Sequence, residues 1–387
     1  MSRLEQEPAL PPRFMDFYNP LLGDNAGHEV RALLAGPKEK IARAVYSRCD
    51  FPALQKIVGE FEMTLPKRES AGARAIFDDA MAVSNELVSC LSRSVAFEQG
   101  KFYLQSFPSY FVIRMLPLAD AEYVLDLCAS PGGKAIHCYD RLERHRPVIV
   151  NEPAGARRMR LTSVLRTYGA QELPVLGIDG GLVCQFLANE IPMIVLDAPC
   201  SGEAHILSQP QRRREWTPKQ TMMLARRQLS LLSAAVHALR PGGVILYSTC
   251  ALSPYENELL IQELLERMGN AISPEPWPGE GVAELQKLGA NFRPLEKVAG
   301  QTIDSRIVES AWRFRPVDFG EPFFGILLRK KEPTMPKKTI EPYPLTYERM
   351  RGKDQWRSMR VGPGRREFIV PSHWPELPGL PYLHLGR

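Results

Sequence analysis

The sequence predicts an α/β domain built on a doubly wound, mostly parallel sheet. Three observations predict it. Between residues 100 and 330, short apolar runs alternate with stretches of helical periodicity. Asp126 apart, the runs carry no charged residue, as expected of strands buried on both faces of a parallel sheet. Glycines, acids and cysteines fall at the ends of these runs, where open α/β sheets bind ligands.

The strand candidates are Tyr123–Leu127, Val148–Val150, Val175–Ile178, Met193–Leu196 and Val244–Tyr247. Helix candidates lie between them near 133–144, 154–168, 181–188 and 217–239. Strand–helix alternation at this spacing is the mark of βαβ units. A later run, Phe323–Leu328, supplies an antiparallel edge strand.

Three regions follow. Residues 1–99 read as a small helical N-terminal region. Ile76, Met81, Val83, Leu87, Leu91 and Val95 suggest one apolar helical face across 71–98. Phe14, Phe17 and Tyr18 read as packing rather than ligand contact. Residues 100–330 form the α/β domain. Residues 331–387 form a basic, Pro-rich C-terminal extension with nine prolines and with 11 Lys/Arg against 6 Asp/Glu, whereas the other 330 residues carry 38 of each sign. All the net charge therefore sits in the extension, as in an arm that touches phosphates or in a solvated tail.

Composition excludes several classes. With 44% hydrophobic and 24% charged residues the chain can bury a sizeable core. No apolar run reaches the eighteen residues of a membrane span, so no membrane partner is expected. The opening MSRLEQEPALPPRF lacks an apolar leader. Seven cysteines, an odd count with no CxxC, argue against a disulfide framework or structural zinc, and no metal is expected.

The segment VLDLCASPGGKAIH passes from strand to helix through Gly132 and Gly133. It is neither GxGxxG nor a phosphate loop, so Lys134 is not a P-loop lysine. The next strand ends at Glu152, where a carboxylate can accept two ribose hydroxyls. The third ends at Asp179, placed to meet an adenine amino group. Three consecutive strand ends with such residues point to a nucleoside cofactor.

The fourth strand ends in LDAPCSG and the fifth in YSTCALSP. If these strands are neighbours, Asp197, Cys200 and Cys250 converge on one crevice. A lone buried cysteine is usually inert; two at equivalent strand ends beside an aspartate are not so easily dismissed. Carbon 5 of cytosine is too weak a nucleophile to take a sulfonium methyl directly. A thiolate added to carbon 6 makes it enamine-like, while an acid, here Asp197, polarises nitrogen 3. A DNA cytosine methyltransferase shares the PC element; the second cysteine favours RNA.

Together DLCASPGGK, DAPCSG and STCALSPYENE resemble the Sun/RsmB-type (NOP/NSUN) RNA (cytosine-5) methyltransferases, in the family's order and spacing. The resemblance covers roughly 100–330. It implies a Rossmann-like S-adenosylmethionine-dependent methyltransferase fold with an antiparallel edge hairpin, and S-adenosyl-L-methionine as cofactor. It implies that Cys250 attacks the base, that Cys200 assists release, and that Cys128, Ala129, Ser130, Pro131, Gly132, Gly133, Lys134, Glu152, Asp179 and Asp197 line the cofactor site. Glu203, Ala204 and His205 depart from many relatives, which are less polar there. The opening RFMDFYNPLLG resembles the mitochondrial NSUN branch. That implies an organellar rRNA, or less readily a tRNA, and a protein partner or ribosomal assembly intermediate; otherwise the setting is cytoplasmic or nucleolar. The alternative function is a ribosome-assembly factor that uses the fold mainly as a scaffold.

Overall fold

A computed structural model describes residues 10–11, 13–36, 39–65, 72–287, 292–340 and the strands within 345–349, 356–361, 366–371 and 383–384. The N-terminal region is not simply helical. Helices α1 (Phe14–Leu22) and α2 (Ala26–Ala35) precede β1 (Glu39–Ala44), α3 (Phe51–Glu62), β2 (Ala73–Phe77), β3 (Ala80–Ser84), α4 (Asn85–Leu91), α5 (Val95–Glu98) and β4 (Phe102–Gln105). The four strands form an antiparallel sheet in the order β2-β3-β1-β4. The single helix expected over 71–98 is thus half hairpin. Asp78 and Asp79 fall at its turn, and a helix begins only where Ser84 caps it by accepting from the Leu87 N–H. The reason is that β3 is buried on both faces. Met81 and Val83 join a local core with Leu54, Val58 and Leu87, while Ala80 and Ala82 face the main core. A strand apolar on both sides lacks the alternation that would identify it.

The large sheet follows the sequence expectation closely. Helix α6 (Phe107–Arg114) leads into β5 (Val124–Asp126), α7 (Gly133–Arg141), β6 (Val148–Asn151), α8 (Gly155–Thr167), β7 (Val175–Leu176), α9 (Val183–Phe186) and β8 (Ile191–Asp197). Then come α10 (Glu203–Leu207), α11 (Pro218–Ala238), β9 (Leu239–Thr249) and α12 (Glu258–Met268). The parallel strands run β9-β8-β5-β6-β7. After β5 the chain builds outward through β6 and β7, then returns to lay β8 on the other side of β5. The switch point therefore lies between β5 and β8.

Beyond β9 the fold turns antiparallel. In chain order come β10 (Ile272–Glu275), α13 (Gly279–Lys287), the small hairpin β11 (Lys297–Val298) and β12 (Gln301–Thr302), α14 (Ser305–Ser310), β13 (Trp312–Phe314), α15 (Pro316–Phe319) and β14 (Phe323–Lys330). Strand β14 is antiparallel as expected but is not the edge: it pairs with β9 on one side, and β10 and β13 both pair with it on the other. This is the Rossmann-like methyltransferase architecture with antiparallel edge strands. Within the extension, β15 (Leu345–Arg349), β16 (Trp356–Val361) and β17 (Arg366–Pro371) form a small antiparallel sheet. The short β18 (Leu383–His384) pairs with β7 and caps the far edge of the large sheet.

Helices α1 and α2 belong to the main core. Phe14 and Tyr18 are fully buried and pack on Trp216, as an aromatic packing cluster should. Among the described residues no helix is long and apolar enough to cross a membrane, and no cluster of His, Cys, Asp and Glu could hold a metal.

Candidate functional site

The loop after β5 turns tightly into α7. Gly132 has φ 119°, a conformation side chains resist, and it stands at the N-cap of α7. A Cβ on Gly133 would lie 2.7 Å from the ring of Tyr103, so the N-terminal sheet is seated against this loop through β4. Between them is a cavity of about 190 Å³, lined by Gln105, Asp126, Cys128, Ala129, Ser130, Pro131, Gly133, Lys134 and Asp197 among others. It opens at the switch point between β5 and β8.

Electrostatics make this cavity unusual. Lys134 donates to Asp197 Oδ2 at 2.8 Å. Burial opposes the ammonium, but Asp197 outweighs it and holds the lysine pKa above its ordinary value. Asp126, not singled out from the sequence, is pushed up to about 7 by burial and by the neighbouring Asp197 charge. Its Oδ1 is buried without a hydrogen-bond partner. The Cys128 thiol is held far above its ordinary value by burial and by Asp126, Asp197 and Glu152, so it stays neutral.

The two remaining acids sit at the neighbouring strand ends rather than in that cavity. Glu152 is buried; it accepts from the Ala154 N–H at 2.9 Å and pairs with Arg157 at 3.2 Å. Asp179 accepts from the Gly181 N–H at 2.9 Å and pairs with Arg227. Burial raises its pKa, but these two donors prevail and hold it below the ordinary range. Asn151, one residue before Glu152, stitches these strand ends together. Its amide donates to Leu127 O and Ile178 O and accepts from Ile178 N, all at 3.0–3.1 Å. Nothing in the local sequence signals that role, because its partners lie 24 and 27 residues away.

The cysteine loops do converge. Asp197 and Ser248 are register partners across β8 and β9, and Ser248 Oγ donates to Asp197 Oδ1 at 2.8 Å. Just beyond, Cys200 Sγ and Cys250 Sγ are 2.9 Å apart. Cys250 is exposed and Cys200 half-buried. The Cys200 thiol is pushed well up by its hydrogen bond to Cys250, by burial, and by the charges of Cys250, Glu256 and Glu203. Of the two, the Cys200 sulfur is therefore the one held in its protonated form.

Under the two loops lies a buried polar network. Ser201 Oγ reaches both Glu203 and Glu256, Tyr18 OH donates to Glu203, and the Leu252 N–H donates to Glu203 at 3.0 Å. Gln228 and the Ser201 N–H both donate to Glu256, at 2.6 and 3.0 Å. Ser201 Oγ carries one proton, so one carboxyl must supply the second. Glu256, pushed up to about 8 by burial and by the Glu203 charge, is the acid that retains it. Glu203 is therefore an internal tie between both cysteine loops and α1, not a polar intrusion at the crevice. His205 is instead on the outside, beside Gln209 and Arg212.

Comparison with known proteins agrees with this geometry. Residues 113–292 match the model described as 16S rRNA methyltransferase RsmB/F. This region is therefore similar to the RsmB/F methyltransferases. The ribosomal RNA small subunit methyltransferase F of Aliivibrio fischeri (strain MJ11) is 30% identical over 251 residues, covering 63% of this chain and 49% of the relative. That of Serratia proteamaculans (strain 568) is 34% identical over 180 residues, covering 46% and 37%. The chain thus spans about half the length, or less, of the curated relatives it matches. Among solved structures, NSun6 from Pyrococcus horikoshii superposes with a TM-score of 0.65 at 19% identity, covering 84% of this chain and 99% of that one. A methyltransferase homolog protein from the same organism gives 0.63 at 22%, covering 82% and 94%. At these identities the likeness establishes the fold. All three motifs of the RsmB/F region lie within the matched residues.

Proposed function

We propose that this chain transfers a methyl group from S-adenosylmethionine to carbon 5 of cytosine in RNA, rRNA before tRNA, through a covalent bond to Cys250. The observation that carries the reading is the contact of the two cysteine sulfurs beside Asp197, at the ends of adjacent strands and next to the glycine loop. The residues present fit the cofactor. Glu152 would take the ribose hydroxyls, Asp179 the adenine, and the cavity at Cys128–Lys134 the rest. The orphaned Asp126 oxygen in that cavity awaits a donor. Bound there, the cofactor supplies an electrophilic methyl group.

The protein's own residues do the rest. Cys200 S–H donates to Cys250 and favours its thiolate, which adds to carbon 6 of the base. Asp197, coupled to the Lys134 ammonium, relays a proton to ring nitrogen 3. After transfer the carbon 5 proton passes to solvent, the Cys250 thiolate departs as the carbon 5–carbon 6 double bond re-forms, and nitrogen 3 returns its proton to Asp197, with Cys200 again hydrogen-bonded to the leaving sulfur. The base must be unstacked to reach Cys250, so single-stranded or partly folded RNA is the fitting substrate.

The test is methylation of ribosomal RNA with methyl-labelled cofactor, followed by nucleoside analysis. Label in 5-methylcytosine, absent with Cys250→Ala, supports the proposal. Label in any other nucleoside contradicts it.

A further inference from the structure

A groove outside the crevice has no part in the reaction proposed above. Its volume is about 760 Å³, and it is walled by α11, α12 and the first residues of the C-terminal extension. Along α11 the lining reaches from Met222 to His237, which at about 1.5 Å per residue is roughly 22 Å. Tyr255, also in the lining, lies in the turn Pro254–Glu256 that follows the Cys250 loop, so the groove reaches the cysteine loops. The extension is tied down where it crosses. The Thr334 backbone N–H and C=O bond the Asn189 side chain at 3.1 and 2.9 Å, its hydroxyl meets His237 Nδ1 at 2.9 Å, and the Ile340 N–H donates to Gln185 O at 2.6 Å. Lys337 and Lys338 stand between these anchors, both exposed and both in the lining. Arg226 on α11 is an exposed lining residue too. Among the described residues none of these three cations pairs with an acid, whereas Arg227 is engaged by Asp179 and Arg267 by Glu263. Glu263 is the one acid among the described lining residues, so the groove is basic although the chain outside the extension is neutral.

We propose that this groove holds the unpaired RNA that flanks the target cytosine, with phosphates on Arg226, Lys337 and Lys338 and a base against Tyr255. The inference rests on the function proposed above. Unmatched cations spaced along a channel suit a chain that carries a negative charge at every step. An unpaired strand is held by such a basic groove together with aromatic rings on which its bases stack. The groove offers both, and Ala225 and Leu229 add apolar wall that suits a base and not a second charge. The start of the extension thereby gains a defined part, since its two anchors hold the lysine pair at the groove.

Fluorescence anisotropy on the full chain tests this with a labelled oligouridylate of about twelve nucleotides, which has no cytosine and so reports the groove rather than the crevice. Each phosphate neutralised on a single strand contributes about 0.7 to the slope of log affinity against log salt. The triple variant Arg226→Gln, Lys337→Gln, Lys338→Gln should therefore lower that slope by about 2 and weaken binding roughly tenfold or more at low salt. All three side chains are exposed, so its melting temperature should match that of the wild type. An unchanged slope, with the wild type still methylating ribosomal RNA, overturns the channel alone. A triple variant that sediments at a different mass from the wild type assigns the groove to a second copy of the chain and likewise overturns it. Groove-dependent RNA binding by a wild-type chain that forms no 5-methylcytosine would sink the proposed reaction and leave RNA as the groove's occupant.

Discussion

Replacing Arg313 with Met should cost far more than a surface change would. Arg313 on β13 donates to both carboxylate oxygens of Glu258 at 3.0 and 2.9 Å, and to Leu252 O at 2.5 Å. Both side chains are almost fully buried, and the Leu295 N–H is Glu258's other donor, at 3.2 Å. Removing the cation leaves a buried carboxylate without its counter-charge, which typically costs about 3–5 kcal/mol. A hydrophobic replacement of both partners is often neutral or stabilising, so Glu258→Leu with Arg313→Met should recover most of that loss. Activity should not recover. The Leu252 carbonyl, two residues past Cys250, loses its tether in either case. Urea unfolding of the wild type, both single variants and the double variant gives the coupling energy directly. Single variants that each cost less than about 1 kcal/mol, as an exposed pair would, refute the reasoning.

Two other predictions concern charge. Asp126 holds its proton to about pH 7 in the folded chain against an ordinary value of 3.8. Between these values the folded state binds more protons than the unfolded one, so stability without ligand falls as pH rises through that window. Asp126→Asn should flatten this decline while leaving the part due to Glu256, and the check is urea unfolding from pH 4.5 to 8; an unaltered slope contradicts the assignment. Removal of residues 331–387, which hold all the net charge, should weaken RNA binding and reduce its salt dependence. An unchanged salt slope would leave the extension a packing role, as begun by Thr334, which bonds Asn189 and His237.

What was legible in the sequence was local. Strands β5, β6, β8 and β9 show themselves because both faces are buried and the runs are apolar, broken only by Asp126 in β5. The glycine loop and the two cysteine motifs show themselves because turn chemistry and nucleophiles occupy adjacent residues. What was illegible depends on distant partners. Strand β3 packs two cores and so mimics a helical segment. Glu203 looked like a polar oddity near the crevice because Tyr18, which it bonds, is 185 residues away. Gln105 carries no motif; only the seating of β4 on Gly133 brings it to the cavity. Glu152 and Asp179 were visible as strand-end acids, but not Arg157 and Arg227, which now neutralise them and which a nucleoside would have to displace or share.

The central claim is that two touching cysteines divide the work, with Cys250 bonding to the base and Cys200 serving its release. A denaturing gel with labelled RNA and the two single variants and the double variant tests it most directly. Cys200→Ala should accumulate a covalent RNA complex that survives denaturation, and that band should vanish in Cys250→Ala and in the double variant. A band trapped by Cys250→Ala but not by Cys200→Ala would reverse the roles. Methylation that persists in both single variants with no band in either would contradict cysteine catalysis altogether.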